Sequence, residues 1–235
     1  MLVNNSMMGG TVVHAQEAVT LVGGAPFGPD DLTEALRLAP RLVAADSGAD
    51  RALALGLQPE AVIGDMDSLS AGARAVLGPR VHVVPEQETT DFDKALSRIA
   101  APLVLAVGFE GGRLDHALAA LHGLVRRAER PCILVGPQTV TCHLPPRLDL
   151  GLGGGVLVSL FPLGQVRVDS VGLRWSTTDL VLDPLGRIGT SNESIGPVVL
   201  QPDGPGLLLI LPRAELSRLA EALTAAPRWP PARDG

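Results

Sequence analysis

The stretch Ala61-Val62-Ile63-Gly64-Asp65-Met66-Asp67-Ser68 runs an apolar segment straight into two carboxylates two positions apart. The apolar part is too short for a helix and reads as a buried strand. Like charges this close repel and raise each other's pKa, so the pair calls for an offsetting positive charge, and a divalent cation is the natural one.

The same arrangement recurs on both sides of this stretch. Leu21-Val22, Leu42 to Ala45, Val81 to Val84, Leu103 to Val107 and Ile133 to Val135 are further short apolar runs. Helix-like segments separate them: Phe92, Ala95, Leu96 and Ile99 recur at i, i+3, i+4, i+7, and Leu114, Leu118, Leu121 and Val125 follow a similar period. Strands alternating with helices predict a parallel sheet joined by crossover helices over residues 18–137. Beyond residue 137 the helical period disappears and Gly and Pro become frequent. Residues 138–212 therefore read as an all-β sandwich domain, with Pro202 to Gly206 as a hairpin connection. Residues 1–17 read as a flexible extension, and residues 213–235 as a helix followed by a mobile Pro/Arg-rich tail. The expected fold class is α/β: an N-terminal parallel-sheet α/β domain followed by a C-terminal β-sandwich domain.

Composition narrows the function. Of 235 residues, 46% are hydrophobic and 19% charged, which excludes a disordered chain. Aromatic residues make up 3%, too few for a stacking platform on single-stranded nucleic acid. The net charge of −6 opposes nucleic-acid backbones and anionic membranes, so the expected partner is a small molecule, with no nucleic acid and no membrane. Only Cys132 and Cys142 are present, too few for a disulfide framework or a cysteine zinc site, and a cytoplasmic location is expected.

Open parallel sheets bind ligands beyond the carboxyl ends of their strands. Here those ends are acidic: Asp46, Asp65, Asp67, Asp91 and Asp115 each follow an apolar run. One such Asp would be an ordinary helix cap or turn residue, but capping gives no reason for an Asp-x-Asp pair. Carboxylates grouped in this way suit Mg²⁺, which takes oxygen ligands and uses few from the protein. Arg113 follows a Gly-Gly turn and Lys94 lies one helical turn after Asp91, so both are candidates for neutralising phosphate. Gly23-Gly24 and Gly111-Gly112 would let backbone N–H groups approach phosphate oxygens. No Walker A, kinase glycine loop or dinucleotide fingerprint is present. His116 is the one histidine in this constellation; His14, His82, His122 and His143 lack metal-ligand spacing.

Seven blocks in order resemble the thiamine pyrophosphokinase family. Asp46-Ser47-Gly48-Ala49-Asp50-Arg51 is similar to its Asp-Gly-Gly-Ala-Asn block, Gly64 to Ser68 to its Gly-Asp-x-Asp-Ser, and Thr90-Asp91-Phe92-Asp93-Lys94-Ala95-Leu96 to its Thr-Asp-x-x-Lys-Ala-Leu. Gly111-Gly112-Arg113-Leu114-Asp115-His116 follows, then Ser159-Leu160-Phe161-Pro162, Gly172-Leu173-Arg174-Trp175 and Thr190-Ser191-Asn192-Glu193. Ser47, Asp50 and Arg174 stand where the family usually has Gly, Asn and Lys.

The resemblance implies Mg²⁺-dependent transfer of the pyrophosphoryl group of ATP to thiamine, and a homodimer with thiamine bound where two subunits meet. Carried onto this sequence, it makes Asp65, Asp67 and Asp91 the metal set, with Asp46 the next candidate, as metal ligand or as the base that accepts the hydroxyl proton. Gln87, Thr90, Lys94, Arg113, Asp115 and His116 become the ATP-binding residues. Trp175, Ser191 and Asn192 become the thiamine-binding ones, Trp175 by stacking on the cationic thiazolium ring. Two competing readings are a metal-dependent phosphoesterase, which would more often show several histidine ligands, and a non-catalytic thiamine or nucleotide sensor, which would have lost a carboxylate.

Overall fold

A computed structural model describes residues 10–231. Its first half comprises β1 (Val13–His14), β2 (Val19–Val22), α1 (Pro29–Leu38), β3 (Arg41–Ala45), α2 (Gly48–Ala54), β4 (Ala61–Gly64), α3 (Ala71–Leu77), β5 (Val81–Val83), α4 (Asp91–Ser97), β6 (Ile99–Ala100), β7 (Val104–Val107), α5 (Leu114–Arg126) and β8 (Cys132–Val135). The second half comprises β9 (Thr139–His143), β10 (Leu148–Leu150), β11 (Gly154–Pro162), β12 (Val166–Leu173), β13 (Val181–Leu182), β14 (Gly189–Pro202), β15 (Leu207–Pro212) and α6 (Leu216–Ala225).

Six strands pair in parallel in the order β8-β7-β2-β3-β4-β5. Strands β2, β4, β7 and β8 are buried along their whole length, as apolar runs covered on both faces must be. The chain moves outward from β2 through β5, then returns to the other side of β2 with β7. The strand order therefore reverses at β2, and a crevice opens at the carboxyl ends there.

The α/β class is borne out. The division at residue 137, however, is not a break in the sheet. Strand β9 pairs antiparallel with β8, and β15 with β9, so the ladder continues into the second half. One apolar cluster accordingly unites Leu105 and Ile133 with Leu148, Val158 and Leu200. Strand β14 pairs with β11 along its first half, then crosses to pair with β12 and β10, with register shifts beside Gly154 and Gly172 where it changes layer.

This crossing corrects one expectation. Pro202 to Gly206 is not a hairpin turn, because β15 pairs with β11 and β9 and not with β14. The connection passes between layers, and His143 Nε2 accepts the Gly206 N–H at 2.9 Å beneath it. Burial pushes the His143 imidazole down to about 4, so it stays a neutral acceptor.

Further differences lie at helix ends and termini. Ile99 does not end the helix predicted from its spacing; α4 stops at Ser97, and Ile99 enters β6, which pairs with β1. The extension expected over residues 1–17 is thus anchored from residue 13: Val13 and Ala15 alternate into the core, and Arg41 donates to the His14 carbonyl at 2.8 Å. Residues 1–9 lie outside the described residues. The tail is also held through residue 229, where Trp229 Nε1 donates to the Leu144 carbonyl at 2.9 Å and Arg228 to the Pro102 carbonyl at 3.3 Å. An indole with its donor satisfied and its ring half-buried fixes the chain that carries it. Residues 232–235 lie outside the described residues.

Arg213 fastens the end of β15 to α1. It donates to Asp31 at 3.0 Å, to Glu34 at 2.7 Å and to the Gly136 carbonyl at 2.6 Å, with 15% of its side chain exposed. Arg213→Met is expected to cost about 3 kcal/mol, because it strands two half-buried carboxylates, and urea denaturation measures this.

Candidate active site

Each strand that borders the crevice delivers a turn to it. Gly24, Ala25 and Pro26 follow β2, Asp46 and Ser47 follow β3, Asp65 and Ser68 follow β4, Thr89 to Phe92 and Lys94 follow β5, and Gly108, Phe109, Gly112, Arg113 and His116 follow β7. Together they line a cleft of about 420 Å³.

Asp46, Asp65 and Asp91 line the cleft, with the exposed Asp67 beside them. Asp46, Asp65 and Asp67 each offer an oxygen within 4.8 Å of the others, and Asp91 shares Lys94 with Asp65. Backbone strain marks the place: Asp46 and Met66 are non-glycine residues at φ 41° and 67°. Asp46 is 2% exposed, and Asp46 Oδ1 and Asp91 Oδ1 are both buried without a hydrogen-bond partner. Burial, then the neighbouring charges of Asp91, Asp65 and Asp67, pushes the Asp46 carboxyl up to about 6; a backbone N–H from Ser68 works the other way. Burial and the charge of Asp65 also raise Asp91.

Lys94 is the one lysine in the sequence; every other basic side chain apart from the histidines is an arginine. It is 2% exposed, with Nζ 2.5 Å from Asp65 and 3.6 Å from Asp91. Burial alone would lower its pKa, but the hydrogen bond to Asp65 and the charges of Asp91, Asp65 and Glu86 raise it. For Asp65, burial pushes the pKa up, and the Lys94 hydrogen bond with the Asp67 N–H outweighs it, so the carboxyl is held low. One cation against four clustered carboxylates leaves negative charge uncompensated. The two orphaned oxygens are hard donors of the kind Mg²⁺ takes, so the residues present fit a divalent cation.

The remaining expected site residues divide. Arg113 forms a two-point ion pair with Asp115, at 3.1 and 2.6 Å, at the exposed mouth, and His116 donates its backbone N–H to Asp115 at 3.0 Å. Thr90 lines the cleft and caps α4, its hydroxyl accepting the Asp93 N–H at 3.4 Å. Gln87, expected to meet the nucleotide, donates to Asp65 at 3.3 Å.

Trp175, Ser191 and Asn192 do not line the cleft. Trp175 is 58% exposed beside Arg174, and Ser191 is exposed at φ 61°. Asn192 does not turn its amide outward. Its Oδ1 accepts the Trp175 and Glu193 N–H groups at 3.2 and 2.8 Å, and its Nδ2 donates to the Trp175 carbonyl at 2.6 Å. Through these bonds Asn192 holds the Trp175 backbone, and one Nδ2 N–H is left over.

Sequence reasoning missed Phe109, Ser68 and Pro26 as cleft residues. Phe109 packs edge-on against Phe92 with ring centroids 4.8 Å apart, and Gly108 at φ +80° turns the chain beside Phe27. Their position immediately after strands was the available signal. Asp50 was also missed as a strut: on α2, it accepts hydrogen bonds from the Ser70 N–H and hydroxyl, holding the end of the Asp65–Ser70 turn.

Comparison with known proteins shows what this core is similar to. Residues 32–135 match the family model described as thiamin pyrophosphokinase, catalytic domain. This match bears out the resemblance read from the motifs. Thiamine pyrophosphokinase 2 of Arabidopsis thaliana is 30% identical over 158 residues, covering 57% of this chain and 58% of the relative. The chain thus spans less than two thirds of the curated relatives it matches. Among solved structures, thiamin pyrophosphokinase from Geobacillus thermodenitrificans is 25% identical with a TM-score of 0.66, covering 83% of this chain and 96% of that one. The enzyme from Candida albicans, at 15% identity and a TM-score of 0.71, shares the fold over 85% of this chain and 93% of its own. The thiamin pyrophosphokinase likeness therefore extends beyond the matched core into the β-rich half.

Proposed function

We propose that the protein is a thiamine pyrophosphokinase, transferring the pyrophosphoryl group of ATP to the hydroxyl of thiamine and releasing AMP. The observation that carries this is the carboxylate cluster of Asp46, Asp65, Asp67 and Asp91 around Lys94, in a fold and family matching these enzymes. Asp65, Asp67 and Asp91 would hold Mg²⁺, which when bound neutralises charge on the transferring phosphoryl oxygens.

The chain's own groups do the rest. The thiamine oxygen bonds to the β-phosphorus, the bond from that phosphorus to the AMP oxygen breaks, and the hydroxyl proton passes to Asp46, which in this role is a base and not a metal ligand. Lys94 keeps Asp65 ionised. Arg113, braced by Asp115, meets phosphate at the mouth, and Thr90, His116 and the Gly108–Gly112 turn border the nucleotide.

Residues 18–137 act in this reading as the ATP- and metal-binding half, and residues 138–212 as the thiamine-binding half. Trp175, Ser191 and Asn192 lie away from the acidic cleft, which suits the homodimer that the family resemblance implies: their thiamine surface would complete a partner's cleft. The two unpaired, buried cysteines suit a cytoplasmic protein. Among the described residues no helix is long and apolar enough to cross a membrane.

The test follows AMP release from ATP and Mg²⁺ with and without thiamine. Thiamine-dependent AMP is expected; thiamine-independent phosphate release would favour a phosphoesterase. Trp175→Ala is expected to raise the KM for thiamine about tenfold while leaving the KM for ATP unchanged, and an unchanged thiamine KM would remove Trp175 from that role.

A further inference from the structure

We propose that the ion pair between buried Asp93 and half-buried Arg127 is the positioning element that aims Asp91 and Lys94 at the carboxylate cluster. Helix α4 has seven residues, too few to hold a direction by itself, so tertiary contacts must set its axis. Asp91 and Lys94, three residues apart, share the face that meets the cluster. Asp93, about 200° round the helix from Asp91 and about 100° from Lys94, lies on the side opposite Asp91.

On that opposite side Arg127, just past the end of α5, grips Asp93 through two parallel hydrogen bonds, Nε to Oδ1 at 2.7 Å and Nη2 to Oδ2 at 2.9 Å. Asp93 is 4% exposed. A fork-to-fork bond of this kind fixes orientation as well as distance. Between the two helices the Phe92 ring lies so close to Gly123 that a Cβ there would come within 2.8 Å of it. The N-terminal end of α5 carries Arg113, Asp115 and His116. One ion pair thereby ties the helix presenting Asp91 and Lys94 to the helix whose other end borders the same cleft.

Stability alone does not explain such a pair. An apolar replacement of similar volume is often as stable as a buried ion pair, and here the buried Asp93 carboxylate must give up its water. What an apolar pair cannot supply is the two-point alignment. Groups that orient metal ligands from behind typically change metal affinity by about 10- to 100-fold when removed.

The metal arm of this inference rests on the proposed function; the geometric arm does not. The test uses the full-length protein with Asp93→Leu/Arg127→Leu, Arg127→Lys as the conservative variant, and Leu219→Ala on distant α6 as a control for destabilisation. Acetylation by an N-hydroxysuccinimide ester followed by proteolysis and peptide-level mass spectrometry reads the exposure of Lys94, the one lysine of the sequence, and keeps it apart from the amine that Arg127→Lys introduces, with the α-amino group as internal standard. The double variant is expected to label Lys94 about tenfold faster than wild type, through local opening of α4. It is also expected to bind Mn²⁺ at least tenfold more weakly by the paramagnetic resonance signal of the free ion. Arg127→Lys should fall between, and Leu219→Ala should match wild type in both. Lys94 labelling at the wild-type rate in the double variant would overturn the inference, as would equal acceleration in Leu219→Ala. Absence of Mn²⁺ binding to wild type would instead count against the metal reading, and labelling would still decide the positioning role. Should the double variant fail to fold, Arg127→Lys carries the test: wild-type labelling and Mn²⁺ affinity there overturn the proposal.

Discussion

Asp65→Asn is expected to lower kcat on the order of 10³-fold, with the Mg²⁺ requirement shifted to higher concentration. Two effects coincide at this residue. The change removes a charge from the cluster, and it withdraws the closer partner of Lys94, leaving that buried ammonium only Asp91 at 3.6 Å. Breaking a buried pair in this way costs about 3 kcal/mol. A stopped-time assay with a Mg²⁺ titration, alongside urea denaturation, separates the two losses. Wild-type kcat and wild-type Mg²⁺ dependence in Asp65→Asn would remove Asp65 from the metal set.

Asp46→Asn is expected to move stability and activity in opposite directions. The Asp46 carboxyl is pushed up to about 6 in the fold, from 3.8 in a free chain. Between about pH 4 and pH 6 the folded protein therefore holds a proton that the unfolded chain has released, and stability falls as pH rises. Above pH 6 the penalty is complete, about 3 kcal/mol at roughly 1.4 kcal/mol per pH unit. An amide carries no such charge. Without divalent metal at pH 7.5, Asp46→Asn should be more stable than wild type by about 1–3 kcal/mol, and the gain should vanish near pH 4. Its kcat should fall by at least about 10²-fold, since the group that would take the hydroxyl proton is gone. Urea denaturation of both proteins at pH 4 and pH 7.5 in chelator supplies the comparison. A stability difference independent of pH would contradict the assigned strain.

The parallel strands were legible because runs such as Ala61-Val62-Ile63 are apolar without alternation, as strands covered on both faces require. The carboxylates were legible for a related reason: in this topology a polar residue just after a strand has only the crevice edge to occupy. Pairing beyond residue 135 was not. Which strand β15 joins depends on partners far along the chain, and nothing in Leu207 to Leu211 distinguishes β14 from β11 and β9 as its neighbour.

The same distance hides side-chain partners. Asp93 looks like one more first-turn acid until Arg127, 34 residues on, is seen to grip it. Asn192 reads as an exposed polar group until the backbone of Trp175 takes up both ends of its amide. The anchoring of Val13 was invisible for the opposite reason: its partner Ile99 fits a helical period, and the β1–β6 pairing overrides it.

The central claim is that this cleft moves two phosphoryl groups together. The most direct measurement is phosphorus NMR, with mass analysis, of the products formed from ATP, thiamine and Mg²⁺. The account predicts AMP and a thiamine product heavier by one pyrophosphoryl group, formed in equal amounts. ADP with a singly phosphorylated thiamine, or free phosphate with thiamine unchanged, would contradict it.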